Sequence, residues 1–120
     1  MKTKALLRNC LTLIIFFIPI AHGGQVNINT QVLATLVAEE DLWGGCMAKI
    51  RYDPQVALPA CGRDWVTFSC SGDHVSKDIA YRMLDTAQLA QVTNRSVFLM
   101  ITDTKMHNGY CFARRIDLLN

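Results

Sequence analysis

Cysteine and histidine carry the most chemical potential in this chain, which has five of the first and three of the second. A thiol beside an imidazole can act as a nucleophile once the ring takes its proton. Cys10 lies in an apolar N-terminal stretch, and Cys46, Cys61, Cys70 and Cys111 follow it. No Cys-x-x-Cys occurs, so redox exchange and a zinc knuckle both lack their spacing. Asp73-His74 and Asp103-x-x-x-His107 offer ligand atoms, but both fall in expected turns and match no ligand motif. Neither a metal site nor a cofactor is expected. Gly-x-Ser-x-Gly, His-Glu-x-x-His and a phosphate loop are absent from the sequence. Glu39-Glu40-Asp41 is a contiguous acidic run rather than the positioned pair a glycosidase needs. No catalytic residue is assigned, and a non-enzymatic role is expected.

Arginines and aromatics are better candidates for recognition. Arg63-Asp64-Trp65 and Arg114-Arg115-Ile116-Asp117 place guanidinium groups beside carboxylates. Neighbours on a strand point to opposite faces, so one of Arg114 and Arg115 is expected to lean inward. A salt bridge, for instance Arg115 with Asp64, is the structural reading. A fork that holds an anionic sugar or a partner carboxylate is the functional one. Trp43, beside Gly44-Gly45, and Tyr110 could offer flat faces to a sugar ring. Trp65 opens an alternating strand and is expected to fill one end of a barrel. The binding candidates are therefore Trp43, Arg63, Tyr110, Arg114 and Arg115.

Compartment follows from the N-terminus. Lys2, Lys4 and Arg8 precede the apolar run Leu11 to Ile20, and Ala21-His22-Gly23 supplies a small-x-small cleavage pattern. Residues 1–23 thus read as a secretory signal peptide and 24–120 as one domain. The run is too short to span a bilayer, so no stable membrane insertion is expected. Leu6 to Asn9 lacks the small residues usual before a lipidated cysteine. Cleavage removes Cys10 and leaves four cysteines, which read as two disulfides in an exported, periplasmic or secreted domain. It also turns a formal charge of +2 into nine basic against ten acidic residues. That near-neutral balance argues against nucleic acid, which demands dense Lys and Arg.

The remaining pattern yields six elements. Gly23 to Asn29 is small and polar, and is expected to be a loose start. Gln31 to Glu40 is ambiguous between helix and strand. Its alternating Val32, Ala34, Leu36 and Ala38 favour a strand. Cys46 to Tyr52 and Trp65 to Cys70 alternate cleanly as half-buried strands. Ser76 to Val92 is the helical segment, with Ile79, Met83, Leu84, Ala87 and Ala90 on one stripe. Ser76 suits the N-cap and Asn94 the left-handed stop. Ser96 to Thr102 is nearly all apolar and is expected to be covered on both faces. Met106 to Gly109 turns the chain into Tyr110 to Leu118. The order β-β-β-α-β-β is that of an OB-fold, a small, partly open five-stranded barrel. An open α+β sheet with the helix across one face is the alternative.

Four cysteines allow three pairings. A hairpin register with Cys46 opposite Cys70 puts Ala48 against Phe68 and Ile50 against Val66, all on one face. It favours Cys46–Cys70 and leaves Cys61 for Cys111. A Cys46–Cys61 clasp across the loop is the next choice.

Leu84-Asp85-Thr86-Ala87, followed by Thr93-Asn94-Arg95-Ser96-Val97, resembles the helix-to-strand segment of subtilase-cytotoxin-type B subunits. A cysteine-bearing hairpin (Cys46, Cys70) and Trp65 lie upstream, as in that family. The resemblance implies a secreted OB-fold protein that forms pentameric rings and binds sugars. It departs at Asn94, where the family has glycine, and in the spacing from tryptophan to helix. No family binding residue is carried over. The expected function is a secreted binding module for a glycan or protein partner, with homo-oligomerisation implied by the resemblance. The alternative is a periplasmic interaction protein: an inhibitor, immunity factor or envelope-assembly factor.

Overall fold

The computed structural model describes residues 14, 15 and 23–120. Most of the expected signal peptide, including Cys10, lies outside the described residues. Among the described residues, no helix is long and apolar enough to cross a membrane. Among the described residues the protein is mainly β, with five strands, one α-helix and two disulfides.

The strands are β1 (Gln25–Val37), β2 (Cys46–Ile50), β3 (Trp65–Thr67), β4 (Ser96–His107) and β5 (Tyr110–Leu118). The helix α1 (Lys77–Thr93) falls between β3 and β4. Around the ring the order is β1-β2-β3-β5-β4, and β4 pairs with β1 to close it. Chain order and spatial order thus differ, because β5 lies between β3 and β4. The β3–β5 seam is parallel and rests on one pair, Thr67 with Phe112.

The segment from Gln25 is strand rather than a loose start. Ile28, Thr30 and Val32 alternate inward and are buried, so Asn29 and Gln31 between them take the outer face. β1 serves two neighbours: Gln25 to Gln31 pairs with β4, and Val32 to Val37 pairs with β2. A register break between Val32 and Ala34 divides these halves. A bulge of this kind bends the strand and switches which parity faces inward. It overturns the single alternating face expected for Val32, Ala34, Leu36 and Ala38.

β2 pairs with β3 through Met47 with Thr67, Ala48 with Val66 and Lys49 with Trp65. This register differs by two residues from the expected hairpin, so the inward parity survives while the partners change. β3 stops at Thr67 because Ser69 adopts a left-handed conformation (φ 62°) and turns the chain. That turn carries Cys70 back to Cys46, with Cα atoms 5.6 Å apart. The second disulfide joins Cys61 to Cys111. Both preferred pairings are present, and all four of these cysteines are buried.

In α1 the Ser76 Oγ accepts from the Ile79 N–H, and Asn94 takes the left-handed stop (φ 52°). Ala80, Met83, Leu84, Ala87 and Ala90 are buried against β1, β2 and β5. Ile79, expected in that stripe, is 49 % exposed. It lies about 100° around the helix from Ala80, at the stripe's rim. The core beneath is Ile50, Val66, Phe68, Val97, Leu99 and Ile101. In β4 only one face is fully buried, because Phe98 and Met100 are half-buried on the other. β4 also runs five residues past Thr102, to a two-residue turn at Asn108-Gly109.

Candidate functional site

Outward-facing residues of β1, β2 and β3 form the floor of a cleft on the barrel's outer wall. Leu36 pairs across the ladder with Met47, and Trp65 lies one strand further on. Val66 and Phe68 point into the core, so strand parity sends Trp65 outward. This corrects the expectation that Trp65 fills one end of the barrel. Trp43 and Tyr110 complete the lining of a recess of about 190 Å³. Four of its five lining residues are aromatic or aliphatic, and Met47 adds a polarizable thioether.

Local backbone chemistry places each aromatic. Trp43 (φ 52°), Gly44 (φ 73°) and Gly45 (φ 85°) are three successive left-handed residues in a 3-10 turn. Glycine accepts that region freely, whereas tryptophan must be held there. Two bonds hold it: the Trp43 N–H donates to Asn108 Oδ1 (2.8 Å), and Thr67 Oγ1 donates to the Trp43 carbonyl (2.8 Å). The Tyr110 ring lies over Gly62, where an added Cβ would come within 2.6 Å of it. The Gly62 N–H donates to the Gly109 carbonyl at 2.7 Å. Of the five residues that line the recess, Trp43 and Tyr110 stand out in the sequence as binding candidates, whereas Trp65, Leu36 and Met47 do not. Strand parity at Val66 was the available signal for Trp65.

None of the three arginine candidates lines this cleft. Arg63 reaches Asp53 (3.4 Å), and Arg114 donates to Gln25 (3.1 Å). Arg115 forms a two-pronged pair with Asp117 (2.9 and 2.7 Å), not with Asp64. Its guanidinium also sits 5.4 Å from the centre of the Phe98 ring. Asp117 holds the Arg115 pKa above its ordinary value, first by hydrogen bonding and then by charge. Neither Arg114 nor Arg115 leans inward. Met100 pairs with Arg115 and Ile101 with Ala113, which leaves Arg114 as the extra residue of a bulge. The bulge breaks strict alternation and exposes both side chains.

His74 and His107 meet beside Gly44. The rings of His74 and His107 are 4.4 Å apart, and Phe112 lies 5.6 Å from His74. Ser69 Oγ and His107 Nε2 share a 2.9 Å hydrogen bond, and Asp73 Oδ2 is 3.9 Å from the same nitrogen. A serine bonded to an imidazole is the start of a nucleophilic dyad. Ser69, however, is fully buried, and its oxygen already accepts from the His74 N–H at 3.1 Å. Asp73 approaches the serine-side nitrogen rather than the far one that an orienting carboxylate would hold. The arrangement fastens loops together. Asp103 stays apart, accepting from the Gly24 N–H. Among the described residues, no three side chains are grouped to hold a metal ion. Burial, then the neighbouring His74, push the His107 pKa below its ordinary value, and Asp73 opposes them.

A second recess of about 380 Å³ is lined by Asn29, Thr30, Gln31, Arg51, Tyr52 and Ser96. It is more polar and more open. Arg51, at the end of β2, had not been singled out from the sequence.

The chain matches no family model, no curated protein and no solved structure.

Proposed function

We propose that this chain is an exported, non-enzymatic binding module of the OB type that recognises a glycan or a protein partner through the Trp43–Trp65–Tyr110 cleft. One observation carries the reading: three aromatic side chains from separate segments converge on an open recess on the outer wall. Aromatic faces with few polar groups suit the C–H face of a pyranose ring, or an apolar anchor side chain. Two disulfides fit an oxidising, exported compartment. The five-stranded ring with a helix between the third and fourth strands supports the OB assignment. The resemblance to toxin B subunits favours a glycan and a ring of subunits.

The test is a glycan array probed with oxidised residues 24–120, with sizing of the same preparation. A defined set of glycans should bind, and Trp65→Ala should weaken binding by about tenfold or more. An array with no binding, together with a monomer on sizing, would sink the glycan reading. A second reading, a periplasmic interaction protein, draws on the cleft's apolar lining. It predicts retention in the periplasm and a tight protein complex that the same Trp65→Ala change disrupts.

A further inference from the structure

The tip of the β4–β5 hairpin is bolted down residue by residue. The Met106 carbonyl lies 3.0 Å from His74 Nε2, and His107 Nε2 meets Ser69 Oγ at 2.9 Å. Asn108 receives the Trp43 N–H, and the Gly109 carbonyl receives the Gly62 N–H. Tyr110 then rests on Gly62. Five consecutive residues each make a contact outside the hairpin. Two of the three cleft aromatics depend on them, since Tyr110 belongs to the tip and Trp43 is held left-handed by Asn108.

Two of the five bolts run through imidazoles, those of His74 and His107, whose rings lie 4.4 Å apart and are tilted by 40°. We propose that the His74–His107 pair is an acid-released latch: it holds the hairpin tip down at neutral pH, and on double protonation lets it lift, opening the aromatic cleft and releasing ligand. The physics is like-charge repulsion between two rings in contact, one of them only 14 % exposed in its side chain. Each element packed on the pair bears on this balance. From the lead-in to α1, Asp73 offers one negative charge at 3.9 Å, too little to neutralise two protons. Lys77 on α1 is itself a cation, engaged by Glu40, and so supplies no counter-charge. From the end of β3 come only hydroxyls, Ser69 and Ser71. From the Trp43–Gly45 turn comes the backbone of Gly44, packed against the His107 ring. β5 contributes the uncharged Phe112 ring, 5.6 Å from His74. Burial first, and His74 second, lower the His107 pKa, so the ring resists taking a charge where it lies. Once the tip lifts, Trp43 loses the Asn108 bond and is free to leave a conformation that tryptophan rarely adopts.

The latch rests on the cleft being the binding site, but its test needs no ligand. Both tryptophans of the chain line the cleft, so intrinsic emission reports on it directly. Oxidised protein is taken from about pH 7.5 to about pH 5, spanning the histidine range. Emission and acrylamide quenching are followed, with far-ultraviolet circular dichroism recorded alongside. The latch predicts a reversible red shift with increased quenching, its midpoint below about pH 6.5, while the dichroism stays constant. His74→Gln and His107→Gln should each abolish the step, because one charge alone meets no like partner. A flat emission profile in the wild type, an unchanged step in both variants, or loss of dichroism together with the step would each overturn the proposal. Loss of ligand binding by Trp65→Ala, read separately, judges the cleft itself.

Discussion

Trp43 shows what single residues contribute here. A bulky side chain at φ 52° stores strain of order 1–3 kcal/mol, and two hydrogen bonds offset it. Asn108→Ala removes one of them and should lower stability by about 1 kcal/mol while loosening Trp43. Chemical denaturation measures the first effect and tryptophan quenching the second. Gly62→Ala drives a methyl group into the Tyr110 ring and should cost roughly 1–3 kcal/mol. His107 sets a pH dependence of known sign. Its folded pKa lies below that of the unfolded chain, which is about 6.5, so the unfolded state takes up its proton first. Its contribution to stability is therefore complete above that pH and is lost as pH falls towards the folded value. Denaturation midpoints should drop on acidification through this window, and His107→Gln should flatten the slope. At this scale Trp43 stands out in the sequence because it lies beside Gly44-Gly45, in a turn. The inward lean expected of Arg114 or Arg115, and the pair expected between Arg115 and Asp64, fail because a bulge, which strand periodicity does not announce, turns both outward and gives Arg115 a neighbour two residues away.

Elements were legible where their pattern was local. The helix announced both ends, since Ser76 caps it and Asn94 stops it. Ser76→Ala should cost about 1 kcal/mol, and Asn94→Gly should be neutral or slightly stabilising, both checked by thermal unfolding. Ala87 is fully buried against the sheet, so Ala87→Leu should overpack that contact and destabilise by roughly 1–3 kcal/mol. Strand boundaries were less legible where tertiary contacts override local pattern. β1 begins at Gln25 because β4 supplies a partner for a polar segment with no strong strand signal of its own. β3 is short because Ser69 turns, although Trp65 to Cys70 alternates throughout. The histidine cluster was hidden for the same reason. Ser69, His74 and His107 come together only when the hairpin tip folds over the end of β3.

The whole molecule is a ring of strands stapled at two places. Cys46–Cys70 closes a separation of 24 residues and Cys61–Cys111 one of 50. Removing either should cost about 2–5 kcal/mol, with the longer bridge costing more by roughly 0.6 kcal/mol per doubling of loop length. Paired Cys→Ala variants compared by denaturant titration would show it. The longer bridge anchors the Gly62 loop to the start of β5, so its loss should also blunt the cleft. Cysteine parity and apolar alternation made the disulfides readable without coordinates. The ring order was not, because nothing local places β5 between β3 and β4. The cleft inherits that difficulty, drawing one wall from the Trp43 turn and another from the final hairpin. The most direct test of the cleft is a binding titration of the strongest array glycan or purified partner, followed by intrinsic tryptophan emission. Saturable emission change is predicted in the wild type and in Arg115→Ala, with Tyr110→Ala weakened by about tenfold or more. Unchanged affinity in Tyr110→Ala, with binding lost in Arg115→Ala, would contradict the account.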